Sequence, residues 1–322
     1  MASDIFVSII LPTYNRAYLL PSAIESVLAQ TYPYWELLVW DDGSIDETKA
    51  VVQTFQDARI QYFFASNHGK SYALNQALQK SRGKYIAFLD DDDQWTPNKL
   101  EIQVEILKQN PNIDLILGNF VNINKENNQE GLSFTQNAKG LAQLKTQKIG
   151  DGRFMITGGW LHGITTANFV AFDTVMMPSK TIDQVGQFNE SLKASEDFEY
   201  WWRFGLAGLK AAYTEDILMK RIKIPGSLSS RSMVLINNHI KMLDTCTELS
   251  LKHGQPETVA LLRPMYRNAW QNMITAFAQT GDWQGMLHAF KKANSFGFRP
   301  GSVRLFLEGL IMLGTGKDVK KR

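Results

Sequence analysis

The chain has 322 residues, 44% hydrophobic and 20% charged, enough for two domains or for one large domain with an appendage. Its formal charge of +2, taken over the whole chain, implies no nucleic-acid or membrane partner. One cysteine, Cys246, excludes an intramolecular disulfide, and with five histidines it leaves too few ligands for a zinc cluster. The N-terminus reads as a strand and not as a signal peptide, and no apolar run approaches the roughly 18–20 residues of a spanning helix. A cytoplasmic location is expected. The charge is uneven. Residues 1–230 carry 21 Lys/Arg and 26 Asp/Glu, whereas residues 231–322 carry 13 and 6. An acidic body and a basic tail predict two domains, 1–230 and 231–322.

The first 118 residues alternate between strand and helix. Phe6 to Leu11 is an apolar run closed by Pro12, the pattern of a strand buried on both faces. Ala23, Ile24, Val27 and Leu28 recur at helical spacing behind Pro21. Trp35 to Trp40 reads as the second strand. Ser44 to Glu47 reads as a capping box opening a helix through Phe55. Strands at Ile60 to Phe64 and Tyr85 to Leu89 flank a helix from Ser71 to Lys80. Thr96-Pro97 reads as a cap opening a helix to about Lys108, and Leu115 to Leu117 lies in a fifth strand. This spacing predicts an α/β fold with a mainly parallel sheet. Residues 119–150, rich in Asn, Gln and Gly, read as a loop or insertion. A strand near Phe169 to Phe172 and a helix from Glu196 to about Ala207 follow. After Ser232 the chain reads as helical, with helices near Val234–His253, Glu257–Thr280, Trp283–Ser295 and Val303–Leu313.

Three acidic clusters carry candidate chemistry. Asp41-Asp42-Gly43-Ser44 and Asp90-Asp91-Asp92-Asp93 each follow a buried strand, and Glu196-Asp197 opens a helix. In parallel sheets ligands sit beyond the carboxyl ends of the strands. Four consecutive carboxylates repel one another. They suit a solvated turn ahead of a helix or a divalent cation, which takes oxygen ligands and commonly shares them with substrate phosphates. Placement at a strand end favours the cation. Glu196 and Asp197 also suit plain helix N-terminal charge. His162 reads as a structural histidine or as a neighbour of a bound sugar.

Together these segments resemble one family. Pro12-Thr13-Tyr14-Asn15-Arg16, the Asp41 and Asp90 clusters with Trp95 and Pro97, and Val185 to Glu190 followed by Glu196 to Arg203 are similar to family 2 glycosyltransferases of GT-A fold. The resemblance covers about residues 5–230. It implies inverting transfer of a sugar from a UDP- or dTDP-sugar to a glycan or lipid-linked acceptor hydroxyl, with Mn2+ or Mg2+. By position, Tyr14 stacks on the base and Pro12 and Asn15 line the nucleotide pocket. Asp42 hydrogen-bonds the base with Asp41 beside it. Lys70 meets the diphosphate, Asp90 contacts ribose or metal-bound water, Asp91 belongs to the nucleotide-sugar pocket, Asp92 ligates the metal, and Asp197 is the catalytic base. Leu74 stands where many members carry arginine, and Lys223 to Ser227 lacks a histidine that some members place there.

Two other readings compete. A sugar-1-phosphate nucleotidyltransferase needs a glycine-rich loop after the first strand, and Pro12 to Arg16 has no glycine. A non-catalytic nucleotide- or glycan-binding module has no need of Asp92 and Asp197. The tail reads as a packed helical appendage. Alternatively, Val303, Leu305, Phe306, Leu310, Ile311 and Leu313, followed by Lys317, Lys320, Lys321 and Arg322, form a peripheral anchor for the inner face of an anionic membrane.

Overall fold

The computed structural model describes residues 5–124, 138–223 and 233–315, together with positions 131, 133 and 135. The chain divides into two compact units, Met1–Pro225 and Gly226–Arg322.

The first unit is built on β1 (Val7–Thr13), β2 (Trp35–Asp41), β3 (Ile60–Phe64) and β4 (Tyr85–Phe88), all parallel. Every residue of β1, β2 and β4 is buried. That explains their unbroken apolar runs, because helices cover both faces of such a sheet. These helices are α1 (Leu20–Leu28), α2 (Thr48–Gln53), α3 (Lys70–Lys80) and α4 (Lys99–Gln109). The short β5 (Asp93–Trp95) is followed by β6 (Leu115–Asn124), β7 (Lys145–Gly150) and β8 (Arg153–Gly158), then α5 (Trp160–Thr166) and β9 (Met176–Pro178). α6 (Ser179–Val185), α7 (Glu196–Leu206) and β10 (Ala211–Lys223) complete the unit. The sheet order is β3-β2-β1-β4-β9-β6-β10-β8-β7, with β5 paired to β10. Parallel pairing holds β1 to β4 and the long β6–β10 pair, while β9, β8, β7 and β5 add antiparallel strands. The order turns back at β1, whose neighbours are β2 and β4. That reversal opens a crevice beyond the carboxyl ends of β1 and β4.

Several expectations need correction. Pro12 lies inside β1 and does not close it. Ile10 accepts from Leu89 on the β4 side, so Pro12, two residues on, also faces that side, where β4 has already ended. The missing proline N–H therefore leaves no ladder bond unmade. Ser44 caps no helix: its Oγ accepts from Asn15 N at 2.8 Å, and Asp46 Oδ1 accepts from Thr48 N at 3.1 Å instead. Thr96 is spent on β10, donating to Ile217 O at 3.0 Å, so α4 opens three residues later at Lys99. Residues 119–124 and 145–150 are strands rather than loop, because β10 and β8 supply partners that single-chain periodicity does not reveal. The strand expected at Phe169 to Phe172 is absent; a 3-10 turn, Phe172–Thr174, leads into β9.

The second unit holds α8 (Met233–Lys252), α9 (Val259–Thr280), α10 (Trp283–Ser295) and α11 (Pro300–Thr315). Ile236, Met273, Ile274, Met286, Ala289 and Ala293 form its core. Gly281 ends α9 with φ +79°, a conformation that glycine adopts without steric cost, and Asp282 caps α10 by accepting from Gly285 N at 2.8 Å. On α11, Leu305 and Phe306 pack against this core, whereas Leu307, Leu310 and Ile311 are exposed. Among the described residues no helix is long and apolar enough to cross a membrane. The basic residues Lys317 to Arg322, and the segment from Ile224 to Ser227, lie outside the described residues.

Candidate active site

Three loops meet beyond the carboxyl ends of β1, β2 and β4. The β1 loop is tied to the β2 loop through Asn15, whose Oδ1 accepts from Ile45 N at 2.8 Å. Asn15 adopts φ +53°, and the only other described non-glycine residue with positive φ is Ser195, just before Asp197. Such conformations persist where the surroundings over-determine them, and they cluster at functional sites. The β1 loop also reaches the tetra-aspartate turn. Thr13 Oγ1 donates to Asp91 Oδ2 at 2.7 Å, and Arg16 Nη1 contacts Asp91 Oδ1 at 2.9 Å and Asp92 Oδ2 at 3.0 Å. These contacts cross the crevice between β1 and β4.

The β2 pair is buried and hydrogen-bonded. Asp41 accepts from Ser44 N at 2.7 Å and from Tyr62 OH at 2.6 Å. Asp42 accepts from His68 N at 2.9 Å and Gly69 N at 2.8 Å, which pins the start of α3 beside it. Each carboxylate oxygen can accept a second bond. Pro12 is buried at the end of β1, while Tyr14 stands 47% exposed at the rim. His162 is exposed on α5, so it is not a satisfied core histidine.

Lys70 opens α3 and joins the remaining groups. Its Nζ lies 2.6 Å from Asp90 Oδ1 and 4.8 Å from the Phe172 ring centroid. The side chain keeps 38% of its surface open yet is ringed by carboxylates. Burial works to lower its pKa, but Asp90, Glu196 and Asp173 outweigh that and hold it above the ordinary lysine value. Burial raises the pKa of Asp197, opposed by Lys70 and assisted by Asp90. Glu196 is raised for the same reasons. The segment leading into α7 is held in turn: Asn75 Oδ1 accepts from Phe188 N at 2.8 Å, and Lys193 Nζ donates to His68 O at 3.0 Å. Leu74, in place of the family's arginine, is fully buried in α3.

The turn itself is crowded with negative charge. Burial, with Asp90 nearby, lifts Asp91 to about 6 against Arg16 and Thr13. Burial, with Asp90 and Asp92, lifts Asp93 to about 7 against Arg221. An added cation would relieve this crowding. Among the described residues no group of three Asp, Glu, His or Cys is arranged as a complete metal site. The donor set fits a hard cation held in part by protein. Asp90 commits Oδ1 to Lys70 and Asp92 commits Oδ2 to Arg16, which leaves one oxygen on each, and Mg2+-type ions commonly take one or two carboxylates plus phosphate and water.

The structure thus brings together Pro12, Tyr14, Asn15, Asp41, Asp42, Lys70, Asp90, Asp91, Asp92 and Asp197. Sequence reasoning missed the parts played by Thr13, Arg16, Tyr62 and Asp173. Arg16 had a signal, a cation directly after a buried strand. Asp173 had none, since 80 residues separate it from Asp93.

The chain is similar to known proteins of one family. Residues 8–162 match the model of glycosyl transferase family 2. An uncharacterized glycosyltransferase of Rickettsia conorii is 35% identical over 218 residues, covering 66% of this chain and 33% of the relative. The UDP-Glc:alpha-D-GlcNAc-diphosphoundecaprenol beta-1,3-glucosyltransferase WfgD of Escherichia coli is 46% identical over 122 residues, 38% of this chain and 48% of that protein. The chain therefore spans only a third to a half of these relatives. Crystalline S. aureus TarS 1-349 with UDP-GlcNAc superposes with a TM-score of 0.63 at 15% identity, covering 98% of this chain and 93% of TarS. The Pyrobaculum calidifontis mannosyltransferase PcManGT with GDP-Man and Mn2+ gives 0.56 at 16% identity, covering 98% and 82%. At such identities the likeness carries the fold alone. The fold, the order of the motifs and the family match converge: this chain belongs to the family 2 glycosyltransferases and has their GT-A fold.

Proposed function

We propose that the protein transfers a sugar from a nucleotide-sugar, a UDP- or dTDP-sugar, to an acceptor hydroxyl with inversion. The observation that carries this reading is Lys70, ion-paired to Asp90 of the metal motif and within the field of Asp197. A cation suited to phosphate beside these carboxylates supports the reading of a diphosphate site. Tyr14 offers a face for the nucleobase, Asp42 accepts from its N–H, and Pro12, Asn15 and Asp41 shape that pocket. The ammonium of Lys70 has three donors, so a diphosphate can share it with Asp90. Asp92, with Asp90 and Asp91 beside it, would hold Mn2+ or Mg2+. When bound, such an ion neutralises charge on the departing diphosphate.

Asp197 takes the acceptor O–H proton as its oxygen bonds to the anomeric carbon and the carbon–phosphate oxygen bond breaks. General-base help of this kind contributes typically about 10²–10⁴-fold. Displacement from the opposite side inverts the centre, and no protein nucleophile is used. The acceptor is a glycan or a lipid-linked sugar, in line with the name of the E. coli relative. Exposed Leu307, Leu310 and Ile311 support a peripheral contact with a membrane's cytoplasmic face. Equal recovery with and without anionic liposomes after sedimentation would sink that contact.

The donor reading is tested by thermal shift with UDP, dTDP, GDP and their glucose and N-acetylglucosamine conjugates, each with and without Mn2+. A uridine or thymidine nucleotide should stabilise the protein only when Mn2+ is present, by about 2.7 kcal/mol at a hundredfold excess over Kd. Absence of any metal-dependent stabilisation would overturn it.

A further inference from the structure

Asp173 lies in the 3-10 turn ahead of β9, is 2% exposed, and plays no part in the chemistry above. Among the described residues no cation comes within 4.0 Å of its carboxylate. Instead Oδ1 accepts from Asp90 N at 2.5 Å, at the first residue of the tetra-aspartate turn. Asp173 therefore grips the tetra-aspartate turn at both ends: its side chain holds Asp90, and its main-chain oxygen takes the Trp95 ring N–H just past Asp93. Thr13, Arg16 and Lys70 hold the turn's side chains, but its backbone is closed by Asp93 N donating to Asp90 O at 3.3 Å, a long bond against the repulsion of four side chains.

The clamp is anchored from behind. Trp95 Nε1 donates to Asp173 O at 2.9 Å, and Gln103 Nε2 donates to Thr174 O at 2.7 Å. Lys99 Nζ in turn donates to Gln103 Oε1 at 2.7 Å and lies 4.0 Å from the Trp95 ring centroid. Lys99, Gln103 and Thr174 are fully buried. The first helical turns of α4 therefore hold the 3-10 turn, and the 3-10 turn holds the tetra-aspartate turn. Burying one carboxyl group beside another is costly, and an apolar residue of similar volume is often more stable in such a place. A stability role alone does not account for Asp173.

We propose that Asp173 is a positioning residue for the donor site: by holding Asp90 and Trp95, on either side of the turn, it fixes the direction in which Asp90 and Asp92 present their oxygens. This rests on the reading of those two residues as the metal and donor ligands. Groups that orient metal ligands from behind typically affect metal affinity by about 10–100-fold.

The test measures the affinity of the full chain for Mn2+ with UDP, by calorimetry, alongside thermal melting. Asp173→Ala removes the clamp and should weaken Mn2+-dependent UDP binding at least tenfold without lowering the melting temperature. Asp173→Asn keeps an oxygen for the Asp90 N–H, so it should restore most of the affinity. Unchanged binding by Asp173→Ala would overturn the proposal, as would equal damage in both variants. If Asp173→Ala does not fold, Trp95→Phe decides. It removes the ring N–H that holds the Asp173 carbonyl while keeping an aromatic ring beside Lys99, and its binding should fall; unchanged binding overturns the proposal. Wild-type protein that binds no UDP with Mn2+ would instead refute the donor reading itself.

Discussion

The two edges of the central sheet treat buried carboxylates in opposite ways. At the amino edge Glu36 of β2 is 1% exposed and saturated with donors. Ser8 Oγ lies at 2.6 Å, Arg82 Nη2 at 2.6 Å, Arg82 N at 2.9 Å and Gln61 Nε2 at 3.0 Å. Burial works to raise its pKa, but the bonds from Arg82 and Ser8 outweigh that and hold it below the ordinary value. At the carboxyl edge Asp91, Asp93, Asp173, Glu196 and Asp197 are all raised, burial being the leading cause in each. One edge favours its buried charge. The other carries more negative charge than its surroundings satisfy. Unrelieved carboxylates of this kind mark a site that receives a cation or a proton, whereas a satisfied one braces the fold.

The largest expected effects lie at the crowded edge. Asp197→Asn should lower the transfer rate about 10²–10⁴-fold while leaving Mn2+-dependent UDP binding intact, as read by turnover and calorimetry. Unchanged turnover would remove Asp197 from the base role. Removing the divalent ion with a chelator should abolish transfer, and Mn2+ or Mg2+ should restore it; full activity in chelator would show that the crowded turn serves no metal.

The satisfied edge should respond in stability and not in chemistry. Glu36→Gln exchanges a charged acceptor for a neutral one and introduces an amide where only donors point. It should cost about 1–3 kcal/mol, a fall in Tm of roughly 2–4 °C per kcal/mol, with the rate per folded molecule unchanged. A lost rate at unchanged Tm would reverse the contrast between the edges.

Acid should separate the edges further. Asp197 must be ionised to act, and its pKa is raised, so kcat/KM should fall on acidification at a pH above the ordinary carboxylate range. The ionised forms of Glu196 and Asp197 cost stability as pH rises through their raised values, so mild acid should not destabilise the fold through them. Glu36 is depressed. Its contribution is complete above the unfolded carboxylate value and is lost only as pH falls through the lower folded one. Activity should therefore vanish before the fold does, in parallel titrations of rate and circular dichroism. The smallest effect lies outside the sheet: Asp282→Ala removes the cap of α10 and should cost about 1 kcal/mol of the helical unit, with no change in nucleotide binding.

Much of the frame was legible in the chain. The runs at Val7, Trp35 and Tyr85 announced buried parallel strands because a sheet covered on both faces leaves no polar alternation, and the acidic clusters stood directly after them. Helix starts were less legible. Ser44 and Thr96 have the right chemistry for caps, but Asn15 and Ile217 claim them, and those partners lie 29 and 121 residues away. The strands at 145–150 and 153–158 escaped notice because antiparallel partners at a sheet's end permit mixed, half-exposed patterns.

Local order by itself determined the βα alternation, the strand-end placement of Asp41, Asp42 and Asp90, and the helical character of the basic tail, since each follows from periodicity and turn chemistry within a few residues. Only the tertiary structure decided that Arg16 crosses to Asp91 and Asp92, that Lys70 pairs with Asp90 in the field of Asp197, and that Asp173 accepts from the Asp90 N–H. Those contacts join residues 20 to 127 positions apart. Nothing in a short window encodes them; they arise when the sheet order reverses at β1 and gathers distant loops over one crevice.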